Sequence, residues 1–566
     1  MFLFLHEKVP FKGAAFAAAA SLFLAGLLFS SCEQSSGPSP IDPRVIEILS
    51  AEDLAKIGVN PAFPLSGSYR LAGDITLENW LPIGGSAAPF TGVFDGNGRT
   101  ITLNNFAADA LDVKNYLGIF AYVKGTSRAK AAISSLKLHS SIDAASSQGQ
   151  SAIGLLAGYA EMAEIENITL SGTFTFSSSR TVLLGGATGY ISTGVVIRNC
   201  SSSLTIDISP GNGQPLLSGT QPYSYIGGIV GVFTGGAGIE DCHNTADVTV
   251  DSAAPASQVF TGGIAGGSRY DTSTAYRGYI KDSSSTGNIS AKAMGDWTIA
   301  GGIAGTIVGG AVNSPAETTR IERCFAAGTV STAETGSGWP YTGGIAGFNY
   351  YGALITQSYF NGTVIAGKGS DYTGGIAGYN SRTGAPGNSR IEDCWSSGSV
   401  QGYINAGGIA GQNQVDALIS RCYSTAAVHA AEARFTGNAA GAGIGGIAGM
   451  NLSAAPDAIT GCAALNPSIG ADVKVNNAAY GENIYRISGI TQTGAGGITS
   501  GNYAWAEMQV TAAGEDIAID PKGRDTSHGE DLGEAKPLLS FYEGIGWDFN
   551  GVWKMGDDGY PALRWQ

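Results

Sequence analysis

The chain repeats one nine-residue phrase at intervals along most of its length. It reads "YTGGIAGFN" from Tyr341 and "YTGGIAGYN" from Tyr372, and weaker copies begin at Tyr116 and Ile153. The Gly-Gly pairs are 31 to 42 residues apart, and their first residues are Gly185, Gly227, Gly262, Gly301, Gly343, Gly374, Gly407 and Gly445. A constant phrase at a variable spacing predicts structural repeats with a fixed core and loops of different length.

A second phrase follows the Gly-Gly pair in most repeats. It reads "IRNCSSSLTI" from Ile197, "IEDCHNTADV" from Ile239, "IERCFAAGTV" from Ile321, "IEDCWSSGSV" from Ile391 and "ISRCYSTAAV" from Ile419. Residues three apart lie on opposite faces of a straight strand, so the Ile and the Cys can both point inward only if the chain turns between them. We expect that corner at pairs such as Glu392-Asp393. Beyond it, alternation places Cys394, Ser396, Gly398 and Val400 on one inward face.

Short strands, frequent corners and a column of small residues predict an all-β fold, a right-handed parallel β-helix (β-solenoid) of about ten or more coils with a C-terminal cap. Glycine contributes 85 of the 566 residues, and 43% of the chain is hydrophobic, which is too apolar for a disordered chain. A helical solenoid is excluded because no 3.6-residue apolar period occurs. A β-propeller needs four strands per blade, which a repeat of 31 residues hardly accommodates.

Stacked coils would place equivalent residues beside one another. Ile345, Ile376 and Ile409 are therefore expected to form an inward ladder, and the flanking glycines to permit sharp bends and close contact between coils. The C-terminal residues Trp547, Trp553 and Trp565 are expected in a cap that protects the open strand edge.

Six of the seven cysteines occupy the same repeat position: Cys200, Cys242, Cys324, Cys394, Cys422 and Cys462. Ser283 and Ser358 take this position in two other repeats, so the position selects a small side chain. We expect a core ladder of buried free thiols, although a disulfide between Cys422 and Cys462 stays open.

The seventh cysteine belongs to a different segment. Lys8 and Lys12 precede the apolar run "AAFAAAASLFLAGLLF", and "SSC" ends at Cys32. We interpret residues 1–31 as a lipoprotein signal peptide, Cys32 as the lipidated residue and residues 32–47 as a flexible tether. The alternative is ordinary secretion with cleavage nearby. The remaining predicted segments are first coils over 48–115, the repeat solenoid over 116–470, and final coils with the cap over 471–566.

The "GGIAG" core with its I-x-x-C phrase resembles the GLUG-motif repeat proteins of bacterial cell surfaces. "SAEDLAKIG" from Ser50, "YRLAGDITL" from Tyr69 and "GWDFNGVWKMGDDGYPALRW" from Gly546 are similar to the flanking segments of that family. The resemblance covers roughly residues 48 to 566 and implies an exported repeat protein, sometimes attached to other modules. It implies no catalytic residues. The lipidation predicted at Cys32 adds the expectation of a lipid anchor in the cell envelope, at the outer membrane or cell surface.

The sequence predicts no catalytic site, metal site or cofactor. The five histidines include no H-E-x-x-H motif, and no C-x-x-C cluster is present. Nucleic acid is excluded as a partner because the formal net charge is −15 and no basic stripe occurs. A carbohydrate-active β-helix enzyme, a lyase or glycosidase, is the alternative. Its candidate carboxylates, Glu240, Asp241, Glu392 and Asp393, recur with the repeat, as corner residues would.

The residue after the inward Cys or Ser has the opposite parity and should face outward. In successive repeats this column reads His243, Ser284, Phe325, Tyr359, Trp395 and Tyr423. We expect the four aromatic rings to stack as an exposed strip that binds a glycan or a cell-surface protein. The alternative is that the strip only stabilises that face or lies under a loop. A second aromatic set, Tyr225, Phe260, Tyr341 and Tyr372, is expected to be a structural ladder.

Adhesion or ligand binding at the cell surface is therefore the expected function, with membrane attachment through the lipid. The enzyme and a passive structural protein of the envelope are the alternatives.

Overall fold

The structure is a computed structural model. It describes residues 45–113, 116–146, 152–211, 223–255, 257–269, 278–294, 297–310, 318–333, 339–369, 372–382, 387–431, 443–472, 483–491 and 499–566. Cys32 and the predicted signal peptide lie outside these residues. Residues 44–566 form one compact unit.

One coil illustrates the path of the chain. Arg320–Glu322 and Phe325–Thr332 belong to sheet 1, Trp339–Gly343 to sheet 2 and Ala346–Tyr350 to sheet 3, before Leu354–Thr356 begins the next coil in sheet 1. Each strand of this coil pairs in parallel with its equivalent one coil away. Among the described residues, sheets 2 and 3 each contain eleven strands in chain order. The predicted right-handed parallel β-helix is confirmed.

The strands of sheet 2 are Tyr116–Leu117, Ala152–Gly154, Leu183–Gly185, Tyr223–Gly227, Gln258–Gly262, Trp297–Gly301, Trp339–Gly343, Tyr372–Gly374, Asn405–Gly407, Ile444–Gly445 and Ile484–Tyr485. Those of sheet 3 are Phe120–Lys124, Ala157–Glu161, Thr188–Ile191, Val230–Phe233, Ala265–Ser268, Ala304–Val308, Ala346–Tyr350, Ala377–Ser381, Ala410–Gln414, Ala448–Leu452 and Ser488–Thr491.

Within the part of the chain that the structure describes, sheet 1 has thirty strands, because most coils contribute two or three short ones. They are Val45–Ile48, Ser68–Leu71, Ile75–Leu77, Val93–Asp95, Thr100–Leu103, Ala131–Ser146, Ala163–Ser178, Val196–Ser209, Gly238–Asn244, Val248–Pro255, Tyr279–Lys281, Ser284–Ser285, Ile289–Met294, Arg320–Glu322, Phe325–Thr332, Leu354–Thr356, Tyr359–Ala366, Arg390–Glu392, Trp395–Gly402, Leu418–Ser420, Tyr423–Ser424, Ala427–Ala430, Ile459–Thr460, Ala463–Ala464, Ser468–Ala471, Thr499–Ser500, Tyr503–Trp505, Gln509–Ala512, Glu515–Asp516 and Glu530–Leu532. The helices are Ala51–Ala55, Ala108–Val113 and Leu539–Gly544, and a hairpin joins Trp553–Met555 to Pro561–Leu563.

The first strand starts inside the segment predicted to be a tether. Val45–Ile48 pairs in register with Ser68–Leu71, so the last three residues of the predicted tether, 45 to 47, belong to the folded coils. No helix among the described residues is long and apolar enough to cross a membrane.

The corner between the two parts of sheet 1 lies where the sequence predicted it. Arg390–Glu392 ends, Asp393 takes φ +53°, and the next strand begins at Trp395. Equivalent corner residues Arg323 and Arg421 also have φ +51°. One left-handed residue per coil turns the chain, so the Ile and the Cys on either side both face the core.

The predicted inward face is wrong at one position. Cys394, Ser396 and Val400 are buried, but Gly398 is exposed and takes φ +90°. A Cβ built on Gly398 would collide with the carbonyl oxygen of Gly362 one coil away, so its missing side chain points along the stack and not into the core. Glycine is needed here for its backbone conformation and for contact between coils.

The Gly-Gly turn lets sheets 2 and 3 contact each other closely. A Cβ added to Gly343, in sheet 2, would collide with the Ala346 carbonyl oxygen and lie 2.7 Å from the Gly378 nitrogen, both in sheet 3. A Cβ on Gly344 would meet the Gly375 carbonyl oxygen. The repeated glycines therefore permit close backbone contact between sheets and between coils.

The next residues of the phrase fill the core. The expected ladder of Ile345, Ile376 and Ile409 is confirmed, since all three are buried and Ile345 N and Ile376 N each donate to the carbonyl of the next isoleucine at 2.9 Å. Thr342, in sheet 2, is buried as well, and its Oγ1 lies 2.8 Å from Oγ1 of Thr332 in sheet 1.

The last residue of the phrase forms a second ladder that the sequence analysis missed. The asparagines are Asn349, Asn380, Asn413 and Asn451, and all four are buried. Each of the first three donates from Nδ2 to Oδ1 of the next, at 2.8, 2.8 and 3.0 Å. The amides also donate to backbone carbonyls of sheet 1, for example Asn380 Nδ2 to Leu418 O at 3.1 Å. This ladder bonds sheet 3 to sheet 1 coil by coil.

Candidate functional site

The six cysteines of the repeat lie in one buried column with free thiols: Cys200, Cys242, Cys324, Cys394, Cys422 and Cys462. Each sulfur donates to the carbonyl oxygen two residues earlier, at the corner, at 3.2 to 3.4 Å. Ser358 does the same to Thr356 O at 2.8 Å and also accepts from Cys324 N at 3.1 Å. Burial raises the pKa of the Cys324 thiol to about 12, so this thiol stays protonated at neutral pH and is a poor nucleophile.

The outward aromatic column of sheet 1 forms a stacked ladder. Ring centroids are 5.2 Å apart for Phe325–Tyr359, 4.5 Å for Tyr359–Trp395 and 5.8 Å for Trp395–Tyr423, with interplanar angles of 12° or less. The strands are in register at these positions, so the coil spacing brings each ring onto the next.

The C-terminal segment covers one end of the strip that the sequence predicted to be exposed. Tyr423 is only 2% exposed and contacts the rings of Trp547, Trp553 and Tyr560. Its hydroxyl donates to Pro561 O at 2.6 Å. Tyr423 is therefore not available to a ligand, while Phe325, Tyr359 and Trp395 are half-buried.

The covering segment is fixed to the rod by its indole N–H groups. Trp547 Nε1 donates to Gly461 O at 2.8 Å, Trp553 Nε1 to Asp393 Oδ1 at 3.2 Å and Trp565 Nε1 to Gln357 O at 2.9 Å. The three acceptors belong to three different coils, so the tryptophans assigned to an end cap lie along the side of the rod.

His243 lies between a carboxylate and a hydroxyl in the same column. Its Nε2 is 3.1 Å from Asp241 Oδ1, and its Nδ1 is 2.8 Å from Ser284 Oγ. The Asp241 side chain is 60% exposed, so water solvates the carboxylate that would have to orient the imidazole of a hydrolase triad. Ser284 is 7% exposed and its hydroxyl has little access to a substrate. We interpret the three residues as a polar cluster of the corner.

A larger aromatic surface lies beside the Gly-Gly turn, where each strand of sheet 2 leads into a strand of sheet 3. We call it the aromatic seam, and its members are Tyr116, Tyr122, Tyr159, Tyr190, Tyr223, Tyr225, Phe260, Trp297, Trp339, Tyr341, Phe348, Tyr350, Tyr372 and Tyr379. Sheet 2 supplies the residues before the Gly-Gly pair and sheet 3 those after it. The seam follows the rod through successive coils.

The seam has a buried layer of contacting rings. Tyr341 packs edge-to-face on Phe348, with centroids 4.3 Å apart, and stacks on Tyr372 at 5.3 Å. Tyr225 and Phe260 stack at 4.7 Å. The four residues predicted as a structural ladder therefore form two stacked pairs, with Ile299 between them in the register.

An outer layer of rings covers the buried ones and faces solvent. Trp339 is 41% exposed and Trp297, its in-register partner one coil away, is half-buried. Tyr350, Tyr372 and Tyr379 are half-buried as well. The sequence analysis did not find Trp297 and Trp339, although both stand two residues before the ladder position of their coil.

The rings of the seam carry no charge, but charged side chains contact it at its N-terminal end. The Tyr122 hydroxyl donates to Glu161 Oε2 at 2.6 Å, and Lys124 Nζ lies 5.9 Å from the centroid of the Tyr122 ring. Tyr190 and Tyr159 bond through their hydroxyls to Thr234 Oγ1 and Ser192 Oγ, at 3.1 and 2.9 Å, and Tyr379 donates to Gln414 Oε1 at 2.9 Å. Burial raises the pKa of the Tyr159 and Tyr341 phenols, so both stay protonated at physiological pH. The seam offers ring faces together with hydroxyl and amide groups.

The seam begins beside a cavity at the N-terminal coils. Tyr116 lines this cavity of about 910 Å³ and contacts the rings of Tyr122 and Tyr159 at 5.8 and 5.5 Å. Within the described residues, no group of three or more His, Cys, Asp and Glu side chains is arranged to hold a metal ion.

No protein-family model matches the chain, and no curated protein matches its sequence. Among solved structures, it is similar to a crystal structure of a Bacteroides ovatus protein named "putative immunoglobulin A1 protease". The identity is 16%, the alignment covers 93% of this chain and 94% of that chain, and the TM-score is 0.22. A TM-score this low carries no argument about fold or activity.

Proposed function

We propose that this protein is an exported binding protein of the bacterial cell envelope whose aromatic seam binds a neutral polysaccharide. Residues 1–32 read as a lipoprotein signal and lipidation site, and the repeat resembles the GLUG-motif proteins of bacterial surfaces. Both features support export and attachment to the membrane through Cys32.

The observation that carries the proposal is the outer layer of the seam. Exposed Trp339 and half-buried Trp297 and Tyr372 are contiguous across successive coils and reach solvent. Contiguous exposed apolar surface of this kind marks an interaction site.

Sugar rings are the ligands that suit this surface. The C–H faces of a pyranose stack on aromatic rings, and its hydroxyls bond to the hydroxyl and amide groups beside them. A linear polymer fits a strip that repeats every coil, about 4.8 Å apart. The formal net charge of −15 favours a neutral polymer over an anionic one.

The test is binding of the full chain to a glycan array, followed by affinity electrophoresis in gels that contain the neutral polysaccharides identified. A Trp297→Ala/Trp339→Ala variant should weaken binding at least tenfold, because it removes two aromatic faces on which the ligand would stack. Stacking of a flat nucleobase on one aromatic side chain, a comparable face contact, contributes about 1–3 kcal/mol. The matched control is Phe325→Ala, which removes a partly exposed ring from the opposite column.

Equal binding by the seam variant and the wild type would contradict the proposal, as would the absence of binding to any neutral glycan. A loss confined to Phe325→Ala would place the ligand on sheet 1 instead.

A further inference from the structure

The cavity at the N-terminal coils has walls of a different character from the seam. It lies beside the helix Ala51–Ala55, and its volume of about 910 Å³ suits a small organic molecule. Most of the wall is aliphatic, including Ile57, Val59, Leu65, Leu77, Leu81 and Ile83.

Two of these aliphatic side chains are exposed to solvent. Val59 is 82% exposed and Leu81 is 49% exposed, although both line the cavity. Covering a side chain of this size stabilises a complex by about 1.5–3 kcal/mol when the burial is complete. The cavity therefore offers apolar surface that an apolar ligand would remove from water.

The two charged side chains among the described lining residues of the cavity are both acidic. Glu52 and Glu78 line it, and neither Lys nor Arg is among its described lining residues. A hydrogen bond from Ser50 lowers the pKa of Glu52, so this carboxylate is ionised at neutral pH. The nearest cation along the helix, Lys56, already bonds to Asp53 Oδ1 at 2.8 Å, which leaves Glu52 without a close ion pair.

Glu78 is held in place by a neutral partner. Asn104 Nδ2 donates to Glu78 Oε1, which orients the carboxylate without cancelling its charge. An aliphatic wall with two carboxylates complements a ligand that has an aliphatic body and a cationic head.

We propose that this cavity binds a single-chain organic cation, with the alkyl chain against Val59, Leu77 and Leu81 and the ammonium group beside Glu52 and Glu78. A fatty acid of the same length would bring its carboxylate against two carboxylates and would be rejected. A sugar would leave its hydroxyls unpaired against the aliphatic wall. The site does not depend on the function proposed for the seam.

The test is isothermal titration of the full chain with n-octylammonium, n-octanol and n-octanoate. We expect saturable one-to-one binding of n-octylammonium and at least tenfold weaker binding of n-octanoate. In Glu52→Gln/Glu78→Gln the preference for the cation should disappear while the binding of n-octanol stays unchanged.

The aliphatic wall is tested by Val59→Ser/Leu81→Ser, which changes exposed positions and should leave the fold intact. This variant should weaken n-octylammonium at least tenfold and leave glycan binding unchanged. Leu538→Ser, at another exposed leucine with 71% of its surface in water, is the matched control and should bind like the wild type.

Three results would overturn the proposal: no saturable binding of n-octylammonium to the wild type, equal binding of n-octanoate, or binding that neither double variant weakens.

Discussion

The indole N–H of Trp553 donates to Asp393 Oδ1 at 3.2 Å, across 160 residues of sequence. The same carboxylate accepts two bonds from Arg421, Nε to Oδ1 at 2.8 Å and Nη2 to Oδ2 at 2.9 Å. This interaction raises the pKa of the Arg421 guanidinium. Asp393 thus serves both as the left-handed corner of one coil and as an anchor for the C-terminal segment.

Replacing Asp393 should destabilise the protein more than replacing a corner residue that has no side-chain partners, because Asp393 bonds to both Trp553 and Arg421. Asp393→Ala leaves the buried Trp553 N–H without its acceptor and places alanine at φ +53°. It also removes both hydrogen bonds to Arg421, whose Nη2 then has Glu392 Oε2 at 3.6 Å as its partner. We expect a loss of about 3–5 kcal/mol in the free energy of unfolding, measured by urea denaturation. Asp393→Asn, which keeps the shape and one acceptor oxygen, should lose about half as much. Equal losses would show that the charge of Asp393 is what matters.

The asparagine ladder predicts a buried polar position that tolerates no apolar substitute. Asn380→Leu removes the acceptor of Asn349 and the donor to Asn413 and to Leu418 O. We expect a loss of about 2–4 kcal/mol in unfolding free energy, since buried groups are left unpaired. Asn361→Ala is the control, because Asn361 is exposed and accepts one bond from Ser397 Oγ. It should change stability by about 0.5 kcal/mol or less.

The glycine after each first Gly of the motif should be intolerant of any side chain. A Cβ on Gly375 would collide with Gly408 O and lie 2.7 Å from Ser396 Cβ and Oγ. We expect Gly375→Val to unfold the surrounding coils and to lower the thermal midpoint by more than about 10 °C. The reason is that the Gly408 carbonyl cannot move away from the new side chain unless its whole coil moves. Gly73→Val is the control, since nothing lies within 4 Å of its added Cβ. An unchanged midpoint for Gly375→Val would refute the steric role of this glycine.

The cysteine column predicts that serine is a better substitute than a larger apolar residue. Cys422 Sγ donates to Ser420 O at 3.2 Å, and Ser358 makes the same bond in its coil at 2.8 Å. Cys422→Ser should therefore cost about 1 kcal/mol or less, while Cys422→Leu, between Cys394 and Cys462 in the column, should cost about 1–3 kcal/mol or more through overpacking. Differential scanning calorimetry gives both values, and the reverse order would contradict a volume limit.

Much of this fold is predictable from the sequence, because equivalent positions of successive repeats contact each other in a solenoid. The corner at Asp393, the cysteine column and the Ile345 ladder each occupy one position per coil, so a sequence period predicts a spatial stack. Asn349 and Asn380 carried the same signal in the last letter of the phrase and were overlooked. The prediction that Gly398 faces inward was wrong. Alternation predicts which face of a strand a residue is on only where the backbone is extended, and Gly398 is left-handed.

The candidate site was less predictable, since its exposure depends on contacts outside the period. Stacking of Tyr359 on Trp395 follows from the repeat, but their covering by Trp565 and its neighbours comes from a segment with no repeat of its own. Trp297 and Trp339 lie outside the constant phrase, next to the variable loops. Local pattern predicts which residues face outward, and long-range docking decides which of them reach water.

The last prediction concerns pH. His528 is buried against Tyr485, with ring centroids 4.8 Å apart, and Arg486 Nε donates to its carbonyl oxygen at 3.1 Å. Burial, with the nearby Arg486 charge, lowers the pKa of His528 to about 4. An unfolded chain binds this proton near the ordinary pKa of 6.5, so it takes up the proton while the folded state does not. Unfolding free energy should therefore fall as the pH falls from about 6.5 to about 4, and the His528 contribution should level off below that range.

The test compares the wild type with His528→Gln, which cannot titrate. In urea denaturation, this variant should show a flatter dependence of unfolding free energy on pH than the wild type between about pH 6.5 and about pH 4. Parallel profiles for the two proteins would mean that His528 is protonated equally in the folded and unfolded states. The comparison needs the difference between the two profiles, because carboxylates such as Asp531, whose pKa is lowered by Lys522 and Arg486, also reduce stability at acid pH in both proteins.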